Sequence, residues 1–473
     1  MKLNELTIKE ARTGLKEKKF SSVELTQSYL DQIDRLNPDL NAFITINDKA
    51  IEEAKEADKL IADGEDLPLL GIPLALKDIF MTKGIKTTAA SNVLRDYVAQ
   101  YDATAVTKLK NAGVITLGKT NLDAWAHGSS GENSDFGPTK NPWNKDYVPG
   151  GSSSGSATSV AANMAIAASG TDTGGSIRLP ASFTNTVGLK PTYGLVSRYG
   201  IIAMASSLDT IGHFTKTVED SAIYLNVTAG HDPMDATTLR QAQGKPFDYL
   251  SDINNGVKGI KIGVPKEYVE KGLTPEVKEN FEKVKKQFED LGAEIVEISL
   301  PHTEYGIACY YIIQPSEVSS NLARYDGIRY GKDRSHFGDE AVRRIILGTF
   351  TLSSGYYDAY YKKAQQVRTL VRRDFEEAFN SLAGGVDAII TPVSPTPPWK
   401  FGEKMGDPLA MYLSDALTVT TNIAGVPGLA VPSGFIGDLP TGFQILGPQF
   451  SEKLLFRIGQ AYEKTQERKT ISL

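Results

Sequence analysis

The stretch that decides the fold is residues 148–180, which read VPGGSSSGSATSVAANMAIAASGTDTGGSIRLP. Two turns rich in glycine and serine, at residues 150–155 and 170–176, flank about a dozen small and apolar residues. The spacing of those residues predicts a short helix followed by a buried strand. Because glycine adopts backbone conformations closed to other residues, the turns can direct hydroxyls and backbone N–H groups at one point.

A third element strengthens this interpretation, because a Gly/Ser-rich turn on its own usually only connects two elements. Residues 71–78 read GIPLALKD, an apolar run that is typical of a buried strand and ends in Lys77. A lysine in that position is unlike an ordinary solvated surface charge. The two turns and Lys77 together predict a site for nucleophilic chemistry.

Bulk composition is that of an ordinary globular protein, with 473 residues, 41% of them hydrophobic and 23% charged. This length predicts either one large α/β domain with insertions or two subdomains. The sequence contains no unbroken apolar run of about 18 residues, which a membrane span needs. Residues 1–20 lack the apolar run of a secretory signal, so we expect a cytoplasmic protein with no membrane contact.

Cysteine, histidine and charge content argue against several functions. Cys309 is the only cysteine and the five histidines are far apart without HExxH spacing, so no metal site is predicted. The formal net charge of −6 argues against broad phosphate binding. If the protein serves RNA chemistry, we expect a partner to hold the RNA.

The order of predicted elements favours an α/β fold with a mixed or parallel sheet. Residues 67–78, 105–112 and 114–117 show a strand, a helix and a strand pattern in that order, and residues 260–298 show a second β-α-β unit. We expect a single large domain over residues 1–473, with a helical N-terminal segment at 1–63. The polar residues 231–257 are expected to form a surface excursion.

The chemistry suggested by these elements is serine nucleophilic catalysis without histidine. Ser176 is the candidate nucleophile, and no histidine stands in a motif that would supply its base. Lys77 is the candidate base, since burial can lower a lysine pKa from its reference value of about 10.4. One of the serines at 152–154 could relay the proton. The backbone N–H groups expected to stabilise an oxyanion belong to Thr173, Gly174, Gly175 and Ser176.

Three motifs resemble the amidase signature family of serine hydrolases: GGSSSGSA at 150–157, GTDTGGSIRLPAS at 170–182 and the lysine of GIPLALKD. The resemblance implies the α/β amidase signature fold, which is a mixed central β-sheet covered by helices on both faces. It implies a triad of Lys77 as base, Ser152 as relay and Ser176 as nucleophile. It also implies that Ser152 follows a cis peptide bond after Gly151, and it is this resemblance that selects Ser152 among its neighbours.

Further segments, including GSSGENSDFGPTKNPW, RRIILGTFTLSSGYYDAYYKKAQ and NIAGVPGLAVPSG, resemble the glutamine-hydrolysing members of that family. The resemblance implies a protein that releases ammonia from glutamine and passes it to a partner. In such a heterotrimer with B and C subunits, no cofactor is expected in this chain. The partner would bind ATP and Mg²⁺, contact the tRNA and activate the mischarged Glu-tRNA. Whether Glu-tRNA(Gln), Asp-tRNA(Asn) or both are served stays open.

The same resemblance implies a pocket for a free amino acid. Arg344 of the RRI segment would hold the α-carboxylate and Asp415 of YLSD the α-amino group, with Tyr310 nearby. The choice between Tyr310 and Tyr311 is open. A zwitterion requires one cation and one anion in its pocket, and arginine can donate two parallel hydrogen bonds to a carboxylate. The loop at 332–339 is shorter than is usual in the family, which puts contacts there in question.

Two other functions remain as alternatives. A stand-alone amidase acting on small or aryl amides would use the same triad and differ only in its pocket. A phosphate or nucleotide cradle is disfavoured, because the chain lacks GxxxxGK[ST] and neither turn has GxGxxG spacing.

Overall fold

The framework of the protein is one sheet whose strands come from both halves of the chain. The structure is a computed structural model that describes residues 2–241, 248–270, 272–325, 327, 331–380, 382 and 384–471. Its eleven strands are β1 (Phe43–Ile46), β2 (Pro73–Lys77), β3 (Ile115–Thr120), β4 (Ala167–Asp172), β5 (Val187–Lys190), β6 (Thr210–Thr215), β7 (Lys261–Pro265), β8 (Glu294–Ile298), β9 (Ala388–Pro392), β10 (Gly428–Ile436) and β11 (Leu439–Leu446).

The sheet is mixed, which is one of the two arrangements that the element order predicts and the one that the family resemblance implies. Its strand order is β1-β3-β2-β4-β6-β5-β10-β11-β9-β7-β8. β2 runs parallel to both β3 and β4, and β7 runs parallel to both β8 and β9. The other pairs are antiparallel. Because β2 and β4 are parallel neighbours, their carboxyl ends, Lys77 and Asp172, lie at the same edge of the sheet.

Helices flank this sheet, and they account for most of the remaining regular structure. They are α1 (Ile8–Lys16), α2 (Ser22–Leu40), α3 (Ala50–Ala62), α4 (Thr104–Asn111), α5 (Ser154–Ala161), α6 (Arg178–Thr184), α7 (Val218–Thr228), α8 (Pro275–Asp290), α9 (Gly306–Leu322), α10 (Asp339–Leu352), α11 (Lys362–Ala378), α12 (Pro408–Tyr412), α13 (Val419–Ala424) and α14 (Glu452–Glu463). Within the described ranges, none of the helices is both long and apolar enough to cross a bilayer.

The stretch at 148–180 folds as its pattern predicts, into α5 followed by the fully buried strand β4. The predicted β-α-β unit at 260–298 is also present, as β7, α8 and β8. Thr274 and Pro275 begin its helix, and Gly292 follows it with a φ of +87°. These elements share clear start and stop residues, which made them predictable.

The N-terminal segment at 1–63 is not entirely helical. Strand β1 lies between α2 and α3 and pairs antiparallel with β3 at the edge of the sheet. Its sequence, FITI, has β-forming residues but only four of them, so the helical pattern on either side hid it. The start of the chain is held tightly, since Lys216, which is buried, donates to the carbonyls of Asn4 and Leu6 at 2.7 and 3.1 Å.

The segment at 231–257 is anchored to the protein over the part that is described. Tyr249, Ile253 and Val257 are buried, and Asp235 pairs with Arg198 at 2.9 Å. Apolar side chains spaced along a polar segment therefore fix it to the core, and the expectation of a surface excursion stays a prediction. Residues 242–247 of the expected excursion lie outside the described residues.

Helices α9 and α10 approach each other unusually closely at Gly348. A Cβ atom added to Gly348 would overlap the backbone carbonyl of Pro315 on α9. Arg344 lies one turn before Gly348 on the same face of α10. Close contact at the glycine therefore brings Arg344 against α9.

We expect Gly348→Ala to destabilise the protein, although alanine is the better helix former by about 1 kcal/mol. The new methyl group meets backbone atoms, so α10 must move away from α9, and the position of Arg344 must change with it. Urea unfolding should show a lower midpoint than in the wild type. Gly406→Ala is the matched control, since a Cβ there meets nothing within 4 Å. Equal midpoints for the two variants would contradict the prediction.

Candidate active site

Lys77 ends strand β2 with its ammonium group enclosed by hydroxyls. Its side chain is fully buried, and Nζ lies 2.9 Å from Ser152 Oγ, 2.8 Å from Ser153 Oγ and 2.9 Å from Thr171 Oγ1. All three partners are neutral, so none of these contacts pins the lysine in its charged form as a carboxylate partner would. The structure thus brings Lys77 and Ser152 together, as predicted from the sequence.

The pKa of Lys77 suits a base. Burial lowers it to about 7, against the attraction of the more distant carboxylates of Asp123, Asp172 and Asp209. A general base works best when its pKa lies near the working pH. A lysine in this environment can therefore accept a proton at neutral pH, which an exposed lysine cannot.

The loop that carries Ser152 is supported by Asp123. The peptide bond between Gly151 and Ser152 is cis. The backbone N–H of Asp123 donates to the carbonyl of Ser152 at 3.1 Å, and its carboxylate accepts from the N–H groups of Gly131 and Asn133 at about 3.0 Å. A side chain at Gly151 would collide with the Asp123 carboxylate. Asp123 thus links the loop that carries Ser152 to the loop at 129–133.

Ser176 follows β4 on a turn that is organised by Asp172. The Asp172 carboxylate accepts from the N–H groups of Gly175 and Ile177 at 2.9 and 3.1 Å and forms an ion pair of 3.0 Å with Arg178. Burial alone would raise the pKa of Asp172, but the charge of Arg178 lowers it to about 2. This carboxylate is therefore ionised at all ordinary pH values and holds the turn.

Arg178 connects that turn to distant parts of the chain. Its guanidinium donates to Gln444 Oε1 at 2.7 Å, to Asn422 Oδ1 at 2.6 Å and to the carbonyl of Thr418 at 3.0 Å. The hydroxyl of Thr418 in turn donates to the carbonyl of Gly174 at 2.6 Å. Sequence reasoning missed this network because its members lie about 240 residues or more apart.

Ser176 is less deeply buried than the other two candidate triad residues. It is 9% exposed, whereas Lys77 and Ser152 are 0% exposed. The candidate nucleophile is thus the least buried of the three. The carbonyl of Ser176 accepts from the N–H of Ser153 at 3.3 Å, so the two Gly/Ser-rich turns are in direct contact.

The predicted oxyanion residues lie together on this turn, but one N–H group is already used. The N–H of Gly175 donates to Asp172. In the described part of the chain, the N–H groups of Thr173 and Gly174 have no protein acceptor and remain available. Gly174 must be a glycine, because a Cβ would come within 2.7 Å of the Tyr310 ring.

Arg344 lies in a cavity of about 370 Å³ formed by the start of α10, by α12 and by the loop at 127–135. It is 3% exposed. Its Nε donates to Glu340 at 2.8 Å and its Nη1 to Gln314 at 2.9 Å. Nη2 has no acceptor among the described residues, so part of the guanidinium fork is free to bind a ligand.

Asp415 is the buried anion of this region, with 6% exposure. It accepts from Ser129 Oγ and from the Tyr311 hydroxyl, each at 2.8 Å. Burial raises the pKa of Asp415 to about 6, so the group is charged at neutral pH. Tyr311 also stacks on Tyr412, and its ring centroid is 5.4 Å from the Arg344 guanidinium carbon.

The sequence left open whether Tyr310 or Tyr311 faces the substrate, and the structure gives the two tyrosines different contacts. Tyr311 lies between Arg344 and Asp415, and its hydroxyl donates a hydrogen bond to Asp415. Tyr310, the residue expected beside the amino group, packs instead against Gly174 of the oxyanion turn. Neighbours on a helix point about 100° apart, so one helical turn of α9 serves both parts of the site.

The sequence of this chain matches a known protein family over nearly its whole length. The Amidase family profile matches residues 24–456. The chain belongs to the amidase family. It is therefore an enzyme, and its mixed sheet flanked by helices is shared with solved structures of amidases.

This amidase is similar over nearly its whole length to individual proteins of known name. The chain is 52% identical to the A subunit of the glutamyl-tRNA(Gln) amidotransferase of Geobacter metallireducens, over 98% of each chain. The crystal structure of the protein of the same name from Thermotoga maritima covers 98% of this chain and 95% of its own, with 44% identity and a TM-score of 0.82. Peptide amidase from Stenotrophomonas maltophilia covers 98% of both chains at 31% identity, with a TM-score of 0.83.

Proposed function

We propose that this amidase is the glutamine-hydrolysing A subunit of a glutamyl-tRNA(Gln) amidotransferase. The observation that carries the proposal is the pairing of a buried cation, Arg344, with a buried anion, Asp415, through Tyr311. An α-amino acid carries both charges on one carbon, so such a pair selects it over a plain amide. The names of the two amidotransferase relatives support the same substrate.

The proposed reaction uses Lys77 as the base, Ser152 as the proton relay and Ser176 as the nucleophile. Neutral Lys77 draws a proton from Ser152, which takes one from Ser176 as that oxygen attacks the glutamine carboxamide. The N–H groups of Thr173 and Gly174 stabilise the oxyanion. The proton returns to the leaving nitrogen, ammonia departs and an acyl-enzyme remains. Water then attacks that ester by the same relay and releases glutamate.

Partner subunits complete the proposed activity. Ammonia from this chain would pass to a B subunit, with a C subunit completing a heterotrimer in the cytoplasm. ATP and Mg²⁺ would bind to the partner, which would also make the main contacts with Glu-tRNA(Gln), and with Asp-tRNA(Asn) if both are served. The formal charge of −6 on this chain agrees with a minor role in tRNA binding.

The deciding experiment is ammonia release from L-glutamine by this chain with its B and C subunits. We expect turnover of glutamine and little turnover of simple aliphatic or aryl amides. Preference for aryl amides or for peptide amides, with no release from glutamine in the presence of partners and tRNA, would favour the stand-alone amidase instead.

Arg344→Lys should lower kcat/KM for glutamine by roughly 100-fold, mainly through KM. Lysine keeps the charge but loses the planar fork, and it leaves Glu340 and Gln314 with poorer partners. Steady-state kinetics with glutamine measure the effect. Arg343→Lys is the matched control, since Arg343 also pairs with Glu340 but is 43% exposed. Equal losses in the two variants would refute the assignment of the carboxylate to Arg344.

A further inference from the structure

His127 is buried at the wall of the cavity that contains Arg344, yet its ring has no hydrogen-bond partner. Its side chain is 0% exposed, and both Nδ1 and Nε2 lack a partner within the described part of the chain. Buried polar groups nearly always have a partner, and an exception calls for an explanation such as a missing ligand. The main chain of His127 is held by Ala124 and Asn133, so the ring alone is unsatisfied.

The backbone before His127 is strained in a way that favours a functional explanation. Trp125 and Ala126 have φ values of +61° and +63°, although neither is glycine. Two successive residues in this region cost about 1 kcal/mol or more each and persist only where surrounding contacts fix them. Here Trp125 is fixed by stacking on Phe337, with ring centroids 5.3 Å apart. The strained turn places the His127 ring at the cavity wall.

Gln314 is a second unsatisfied donor beside the same arginine. Its Oε1 accepts from Arg344 Nη1 at 2.9 Å, which fixes the orientation of the amide. The Nε2 group at the other end of the amide is buried and has no partner among the described residues. Tyr311 and Gln314 are three residues apart on α9 and therefore share the face that meets α10.

The charge state of His127 agrees with a role as a neutral hydrogen-bonding group. Burial, and then the positive charge of Arg344, hold its pKa well below the usual value. The ring is therefore neutral at physiological pH, with one N–H donor and one acceptor nitrogen. A positively charged ammonium group would be repelled by Arg344 next to it, whereas an anion would be attracted.

We propose that His127 and Gln314 are specificity-determining residues that donate hydrogen bonds to the α-carboxylate of glutamine beside Arg344. His127 and Arg344 line one cavity and supply an imidazole N–H and the free guanidinium Nη2. Gln314 contacts Arg344 and supplies an amide N–H that has no partner among the described residues. The inference rests on the proposed function, since it requires a substrate with an α-carboxylate. It adds two recognition residues that differ from the charged pair of Arg344 and Asp415.

The test compares two amides that differ only in this carboxylate. Ammonia release from L-glutamine and from 4-aminobutanamide, which is glutamine without its α-carboxylate, is measured for the complex carrying wild-type, His127→Leu, His127→Asn or Gln314→Met chains. The readout is the ratio of the two kcat/KM values. Because this ratio is independent of the concentration of active enzyme, partial misfolding of a variant does not affect it.

We expect His127→Leu and Gln314→Met each to lower the ratio by roughly 10-fold to 100-fold, as loss of a hydrogen bond to a charged group does. His127→Asn, which keeps a donor, should recover part of the preference. Calorimetric binding of L-glutamate to the same variants in a Ser176→Ala background should weaken in parallel.

A ratio unchanged in both His127→Leu and Gln314→Met would overturn the inference and leave the proposed function intact. A wild-type enzyme that did not prefer glutamine over 4-aminobutanamide would overturn the proposed function, and the inference with it. The two failures are thus distinguishable in one set of measurements.

Discussion

Ser176→Ala will abolish glutamine hydrolysis, with kcat lower by roughly 10⁵-fold or more, the scale of loss seen when serine hydrolases lose their nucleophile. Ser176 is the least buried of the three candidate triad residues, and its turn is fixed by the ionised carboxylate of Asp172. Without the hydroxyl no acyl-enzyme can form. Ammonia release and trapping of the acyl-enzyme with a labelled substrate both measure the effect.

The matched control for that variant is Ser154→Ala. Ser154 lies in the same region and is also buried, but its hydroxyl donates to Thr139 at 3.1 Å and makes no contact with Lys77 among the described residues. We expect its activity to remain within about 10-fold of the wild type, since a neutral hydrogen bond contributes about 1 kcal/mol. Substantial turnover by Ser176→Ala would mean that another group is the nucleophile.

Lys77→Met will reduce kcat by roughly 10³-fold to 10⁴-fold and remove the acidic limb of the pH profile, since general base catalysis contributes up to about 10⁴-fold. Methionine keeps the length of the side chain but cannot accept a proton. In the wild type the base form is neutral Lys77, whose pKa is lowered by burial to about 7. Activity should therefore fall tenfold per pH unit below about pH 7 and level off above it.

The pH profile needs a control, because Asp123 titrates in the same range. Burial raises the pKa of Asp123 to about 7, and its charge acts on Lys77. Two coupled groups share their apparent pKa values, so the limb must be assigned by substitution. Asp123→Asn removes a negative charge that favours protonated Lys77, so the limb should move to lower pH and persist. A limb that disappeared in Asp123→Asn would assign it to Asp123 and contradict the role of Lys77.

Much of the fold could be predicted because its signals are local. The turns around α5 and β4, the lysine that ends β2 and the β7-α8-β8 unit all follow from glycine, proline and apolar patterns within about 40 residues. β1 was missed because it has only four residues and lies between two strong helical patterns. The three buried apolar residues that anchor the described part of 231–257 could not be identified, because they are isolated in a polar segment.

The site residues likewise fall into those with a local sequence signal and those without one. Lys77 and Ser176 could be identified from local patterns and a family resemblance selected Ser152, and the structure brings Lys77 and Ser152 into contact. Gln314, Glu340 and Ser129 could not be found, since each acts through a partner that lies distant in sequence or beside it on a helix. His127 was given no role because the five histidines are far apart and lack HExxH spacing. What distinguishes it, a buried ring without partners among the described residues, exists only in three dimensions.

The network of Arg178 has a consequence for biosynthesis. All three triad residues have been translated by residue 176, yet the turn that carries Ser176 depends on Thr418, Asn422 and Gln444 for its support. A nascent chain that ends before β11 leaves a buried guanidinium group without part of its hydrogen bonds, which is costly. We therefore expect the nascent chain to stay inactive until β11, the last strand, has joined the sheet near the end of synthesis. The protein would then release no ammonia before it is completely folded.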